Sequence, residues 1–332
     1  MPLHDAHYQH WTGQHTSIWD RRRVIAQNGL AACLQTKLLR YVATVCWMSA
    51  LVMTGFLFFL GQLLVPDSMV ANWVTQMNAQ LQSFFRMLTD WLQYHPEISA
   101  GTMQNELFYF YCVYLMPLSV FALGMALPSL ITRDLASSAI VIYSSKAVTR
   151  FDYLLGKFCT AFGVMALTWL GPVCAAWFLG NLLAPDWKFF WYARVPLFHA
   201  LIFGLSSMVI LSLLALGVSA FSSREKATPA IWFTWWALGL AIQPIALHTL
   251  PWLRHLSFGY NLRQLALATF QLGQDLKTAE DAIPILGDML KKNVTHETRA
   301  ALDNPTLAGA LVGLAFMLVA AGLILKKRVA PE

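Results

Sequence analysis

Charge is what this chain has least of. Only 12% of its 332 residues are Asp, Glu, Lys or Arg, about half of the roughly 25% usual for a soluble domain. The deficit is not spread evenly. Six runs, 42–65, 107–131, 158–183, 195–221, 229–250 and 306–325, contain no Asp, Glu, Lys or Arg at all. A solvated globular surface cannot be built from such runs, whereas a lipid-facing one can, because unpaired charge is costly in hydrocarbon. Backbone polar groups in lipid must be bonded within a helix or a closed barrel. Barrel strands alternate with a period of two, so unbroken apolar runs favour helices. At 1.5 Å per residue each run can cross a core of about 30 Å. The fifth is interrupted by Gln243-Pro244, which predicts a broken or tilted helix there.

Other absences remove whole classes of function. No GxxxxGK[ST] is present, so the chain has no phosphate cradle of its own. Neither HExxH nor GxSxG occurs, and no carboxylate pair lies in an apolar pocket, so no catalytic residues are assigned. Within the runs only His199 and His248 titrate, each near a run's end. Proton- and sodium-coupled carriers usually need carboxylates or a broken-helix ion site near mid-membrane, and haem subunits need paired axial histidines. The five cysteines (Cys33, Cys46, Cys112, Cys159, Cys174) show no CxxC spacing and read as reduced packing residues. The first run begins after about 40 mostly polar residues, too late for a cleavable signal peptide.

What is present is hydrophobic, aromatic and, at certain places, basic. The chain is 57% hydrophobic, with 13 Trp, 21 Phe and a net charge of +6. The basic residues form short groups beside the runs and no aromatic-interleaved stripe, so nucleic acid is not an expected partner. Residues 1–16 read as a mobile His-rich tail. His4, His7, His10 and His15 with Asp5 could hold a metal weakly, but no metal site is assigned. Residues 17–41 carry Ile18, Trp19, Ile25, Leu34, Leu38 and Leu39 among Arg21, Arg22, Arg23, Lys37 and Arg40, the pattern of an amphipathic helix lying among membrane lipids at the interface. The long connections 66–106 and 251–305 contain short amphipathic helices at 81–92 and 262–272. With the amino terminus inside, the inner segments hold 14 of the 23 basic residues against 6 acids, and the outer ones 9 against 11. The positive-inside tendency therefore predicts both termini in the cytoplasm. The expected fold is one all-α integral membrane domain over 17–332, with six spans behind an interfacial helix.

The stretch from Ile131 to Phe158 carries the most specific pattern. Asp134 precedes a short polar segment. Ser145-Lys146-Ala147-Val148-Thr149-Arg150 follows, and Leu154-Leu155-Gly156-Lys157 leads into the third run. This resembles the cytoplasmic loop of ATP-binding cassette (ABC) transporter permeases of the type-2 class, the type V exporter fold. There an acidic residue precedes a short helix, a Ser-x-Pro-Val-Ser-Arg turn and a Gly-Lys entry to the third span. Ala147 stands at the usual proline and Asp134 at the more frequent glutamate. The 211–224 stretch also resembles the end of the family's fourth span.

The resemblance implies a permease subunit, homo- or heterodimeric with a second permease, in the inner membrane of a bacterium. It would work with separate ABC ATPase subunits that hold the ATP and Mg²⁺. The coupling loop would use Leu135, Ile140, Val141 and Tyr143 as apolar contacts and Arg133, Asp134, Lys146 and Arg150 as a charged rim. Ser145, Val148, Thr149, Gly156 and Lys157 complete the motif, and Ser223, Arg224, Glu225 and Lys226 form a second inner loop. Two other readings are open at this point: a non-enzymatic membrane anchor or assembly protein, and an ion-independent facilitator. Trp232, Trp235, Trp236 and the 108–114 aromatics could line a substrate path or simply pack. Gly204, Ser207, Ala215 and Gly217 permit close helix approach. Asn293-Val294-Thr295 fits a glycosylation sequon.

Overall fold

The computed structural model describes residues 17–65, 68–74, 76, 78–94, 96–139, 149–248, 250–282 and 305–329, and among them every regular element is a helix. Helix α1 (Ile18–Leu34) starts on a capping box, in which Ser17 accepts from the Asp20 amide and Asp20 from that of Ser17. The expected single helix over 17–41 is instead broken at Gln35–Thr36, after which α2 (Lys37–Leu63) begins. Next come α3 (Met69–Val74), α4 (Ala79–Tyr94) and the long α5 (Pro96–Leu127), which continues through a π turn at Pro128–Thr132 into α6 (Arg133–Ala136). Helix α7 (Arg150–Met165), a second π turn (Ala166–Leu170) and α8 (Gly171–Leu182) form one rod. The short α9 (Lys188–Tyr192), α10 (Arg194–Phe221) and α11 (Ala227–His248) follow, then a 3₁₀ turn (Pro251–Leu256), α12 (Phe258–Phe270), α13 (Leu272–Ala282) and α14 (Leu307–Arg328).

Five of these rods are long and apolar enough to cross a membrane: Lys37–Leu63, Pro96–Ala136, Arg150–Leu182, Arg194–Phe221 and Leu307–Arg328. The chain is thus an all-α, multi-pass membrane protein. The second and third rods begin before their apolar runs, at Pro96 and Arg150, because helix continues into polar sequence. Helix α11 runs unbroken through Gln243-Pro244, so of the expected broken or tilted helix the break is absent.

Lipid offers helices little hydrophobic drive to associate, so close approach and hydrogen bonds must hold the bundle. Gly217 of α10 lies so near α14 that an added Cβ would sit 2.5 Å from the Ala321 Cβ. Gly180 of α8 meets Leu57 of α2 equally closely. Indoles supply much of the bonding: Trp47 Nε1 donates to the Leu167 carbonyl (3.0 Å), Trp169 to Cys112 (3.1 Å), Trp177 to Ala193 (3.0 Å) and Trp232 to Val120 (3.1 Å). Trp169 and Trp232 are fully buried, and each places its indole N–H where a carbonyl accepts it.

The segment after α11 departs most from expectation. Residues 251–270 read as part of an outer connection, but the chain doubles back on α11 and α12 enters the core. Phe258, Leu262, Ala266 and Phe270, spaced four apart on one helical face, are all fully buried. Phe258 stacks on Trp232 at 5.4 Å, level with Val120 of α5, whereas Phe270 packs on Tyr109 at 5.7 Å. Thirteen residues rise about 20 Å, too little to span a bilayer. Helix α12 is therefore half of a hairpin that returns to the end it came from. Trp232, Phe108 and Tyr109 are accordingly packing residues, buried to 4% exposure or less.

Candidate functional site

One end of the bundle brings together Arg22, Arg133, Arg150, Lys157, Arg224 and Arg328 with the described ends of the 131–158 connection. The α7 start forms a capping box: Thr149 Oγ1 accepts from the Asp152 amide (3.2 Å), and the Asp152 carboxylate accepts from the Thr149 amide (3.3 Å) and hydroxyl (2.6 Å). Asp152 also accepts from Arg22 Nε of α1 at 2.6 Å, with Arg22 Nη2 at 2.5 Å. The Arg22 guanidinium lies 4.6 Å from the Trp19 ring centre and 5.7 Å from that of Phe151. Helix α1 is thus clamped along α7. Gly156 permits the approach, since a Cβ there would stand 2.6 Å from Ile25 Cγ2.

Asp134 and Lys157 pair across the loop at 2.8 Å. Tyr153 donates to the same Asp134 oxygen at 2.6 Å, and Lys157 Nζ donates to the Ser129 carbonyl at 3.2 Å. Arg150 Nη2 donates to the Leu325 carbonyl at 2.6 Å, a cation on the carbonyl-rich end of α14. Arg133 meets Glu225 of the second loop at 3.3 Å, both half exposed.

Asp134 and Arg150, expected in a charged rim, and Lys157, expected at the motif's entry to the third span, are each bonded within the chain. Thr149 caps a helix, and Gly156 is a close-packing position. Ile140, Val141, Tyr143, Ser145, Lys146 and Val148 lie outside the described residues. Two clefts open at this end among the described residues: one of about 390 Å³ lined by Leu135, Ala220, Phe221, Ser222, Ser223, Arg224 and Arg328, and one of about 400 Å³ between α1 and α7 that includes Arg133, Asp134, Tyr153 and Lys157. Glu225 and Lys226 stand exposed beside the first, on the same loop as Arg224. The two loops that the sequence separates by some 70 residues therefore meet at one basic end.

Two residues that build this end were not singled out in the sequence. Asp152 had a readable signal, the Thr-x-x-Asp spacing of a capping box. Ser219 had none. Its hydroxyl donates to the Leu127 carbonyl (2.8 Å) and accepts from the Ile131 (2.9 Å) and Thr132 (3.2 Å) amides, so it is inserted into the backbone of the π turn. Thr132 Oγ1 donates to the Ser219 carbonyl at 2.8 Å and stands 3.1 Å from Thr228 Oγ1 of α11.

The opposite end holds a different polar group, also not anticipated. Asn105 Nδ2 donates to the Phe270 carbonyl (2.6 Å) and to Asp275 Oδ2 (2.5 Å). Asn105 Oδ1 can only accept, so His199 Nδ1, 2.8 Å away, carries the proton. These residues border a cleft of about 340 Å³ with Glu97, Trp191, Arg194 and Gln274. Arg194 is turned onto the Trp191 ring, 3.6 Å from its centre. Burial pushes the Asp275 carboxyl up to about 6, against the lowering effect of its Asn105 bond. No group of three or more His, Cys, Asp or Glu able to hold a metal occurs among the described residues.

No protein-family model matches the chain, and no curated protein sequence matches it either.

Proposed function

We propose that this chain is the membrane subunit of an ABC exporter, a permease that pairs with a second permease and is driven by separate ATPase subunits. In this reading α11 is also a span, the fifth of six in chain order, its 22 residues long enough at about 33 Å. Both termini face the cytoplasm of a bacterial cell, as the 14-to-9 division of basic residues favours. The observation that carries the reading is the meeting of the 133–135 start of the first loop with the 222–226 loop, around a cleft rimmed by Arg224 and Arg328. The resemblance of the first loop to the type-2 permease loop gives that end its role, receiving an ATPase surface. Internal bonding of Asp134, Arg150 and Lys157 supports it, since a docking loop must be stiff to pass on a movement.

The test is purification of the tagged chain from native membranes, with identification of what accompanies it. A Walker-bearing ATPase should co-purify, and the complex should hydrolyse ATP while the chain alone does not. Nucleotide binding by the isolated chain, or the absence of any ATPase partner, would contradict the proposal.

A further inference from the structure

A π turn leaves part of a helix's own ladder unmade, and the described residues contain two such places. In the second, the Gly171 amide reaches back to the Ala166 carbonyl and Pro172 has no N–H to give. The carbonyls of Leu167 and Thr168 are thereby freed, and they accept from Trp47 Nε1 (3.0 Å) and Ser119 Oγ (3.1 Å). Those bonds only satisfy acceptors. In the first turn, the Arg133 amide reaches back to Pro128, and Ser219 stands between the Leu127 carbonyl and the Ile131 amide as donor and acceptor together. Part of the continuity of α5 at this point passes through a side chain of α10.

Everything around that hydroxyl is buried. Leu127, Ile131, Thr132, Ser219 and Thr228 are each 0% exposed. Three residues beyond Thr132 lies Asp134's neighbour Leu135 at the open cleft on one side, and Ser222 begins the second loop three residues past Ser219 on the other. Thr228, at the start of α11, completes the node and also stands 3.2 Å from the Arg224 carbonyl inside the second loop.

We infer that Ser219 is a positioning residue that joins α6 and the 222–226 loop into one rigid body, so that displacement of either loop moves α5, α10 and α11 together. That an ATPase supplies the displacement rests on the exporter reading; the rigidity does not. The Arg133–Glu225 pair spans the same two loops, but both side chains are half exposed, and a pair screened by water cannot fix their spacing.

The experiment places spin labels at Ala136→Cys and Ser223→Cys, both exposed, in a background lacking the native cysteines, and reads their distance distribution in nanodiscs. The parent should give one narrow distance. Ser219→Ala should broaden it, whereas Arg133→Gln should not. Ser212→Ala is the matched control on the same helix: its hydroxyl is equally buried and has no hydrogen-bond partner among the described residues, so its loss should leave the width unchanged. If Ser219→Ala does not reach the membrane, Thr132→Val removes the second strand of the node and should broaden the distance to a smaller degree. A Ser219→Ala or Thr132→Val distribution as narrow as the parent's overturns the joint, as does equal broadening in Ser212→Ala. Co-purification of an ATPase, scored on the same samples, judges the exporter reading separately. Its absence from the parent would remove the driver and leave the distance result standing.

Discussion

The two polar ends of the bundle are held by opposite means. At the basic end, Asp134, Asp152 and Glu225 each face a cation, and Arg150 closes on a helix carboxyl end. At the other, Asp275 is bonded to a neutral amide, and no salt bridge to it occurs among the described residues. Ion pairs shielded from water hold a shape over a wide pH range, because both partners stay charged. A half-buried carboxylate without a cation is held only as well as its protonation allows. The first end is therefore a fixed platform and the second a pH-dependent fastening of α13 to α5.

The largest effect should come from breaking the platform. Lys157→Met leaves Asp134 without its cation in a setting where the Lys157 and Asp134 side chains are 11% and 16% exposed. Removing one partner of a buried pair costs roughly 3–5 kcal/mol, and Tyr153 still donates to Asp134, so about 3 kcal/mol is expected. Thermal unfolding in detergent checks it, and a variant as stable as the parent would show that the pair holds nothing. Gly156→Ala comes next. Its new Cβ meets Ile25 Cγ2 and Cβ at 2.6 and 2.8 Å, so α1 must move away from α7 at a cost of about 1–3 kcal/mol. Gly55→Ala on α2 is the contrast, since nothing lies within 4 Å; there the helix should gain up to about 1 kcal/mol. Equal responses at the two glycines would deny the tight α1–α7 contact.

The smallest effect concerns the other end. The folded Asp275 carboxyl lies at about 6, above its ordinary 3.8. The folded state therefore holds a proton that the unfolded state gives up between those values, and stability from this group falls as pH rises from about 4 to 6. Hydrogen exchange across 272–282 should quicken over that window relative to the 150–165 helix. Asp275→Asn should abolish the dependence. A pH-independent parent, or an unchanged slope in the variant, would erase the contrast between the two ends.

Much of the fold was legible because lipid imposes simple rules. Length and lack of charge located all five long rods, and Lys and Arg marked the end where the loops meet. The return of 251–270 into the core was not legible, since Leu262, Arg263 and Gln264 read as an amphipathic surface helix, and only the Phe258–Leu262–Ala266–Phe270 face shows otherwise. The site was legible as a location but not as a set of contacts. Spacing identified Asp134, Arg150 and Lys157, yet whether a charge faces a partner protein or its own chain depends on where α14 and Ser129 lie. Ser219 is the extreme case, a lone serine in an apolar run whose role exists only in three dimensions.

The central claim, that the basic end receives a separate ATPase, is tested most directly by photo-crosslinking in native membranes. A cross-linking side chain is placed at Ser223, beside the open cleft, and in a second variant at Gln274, beside the cleft of the opposite end. The account predicts an adduct between the Ser223 variant and an ATP-binding protein, lost when that protein is deleted, and no such adduct from Gln274. An ATPase adduct from Gln274, or none from Ser223 while other membrane proteins are captured there, would contradict it.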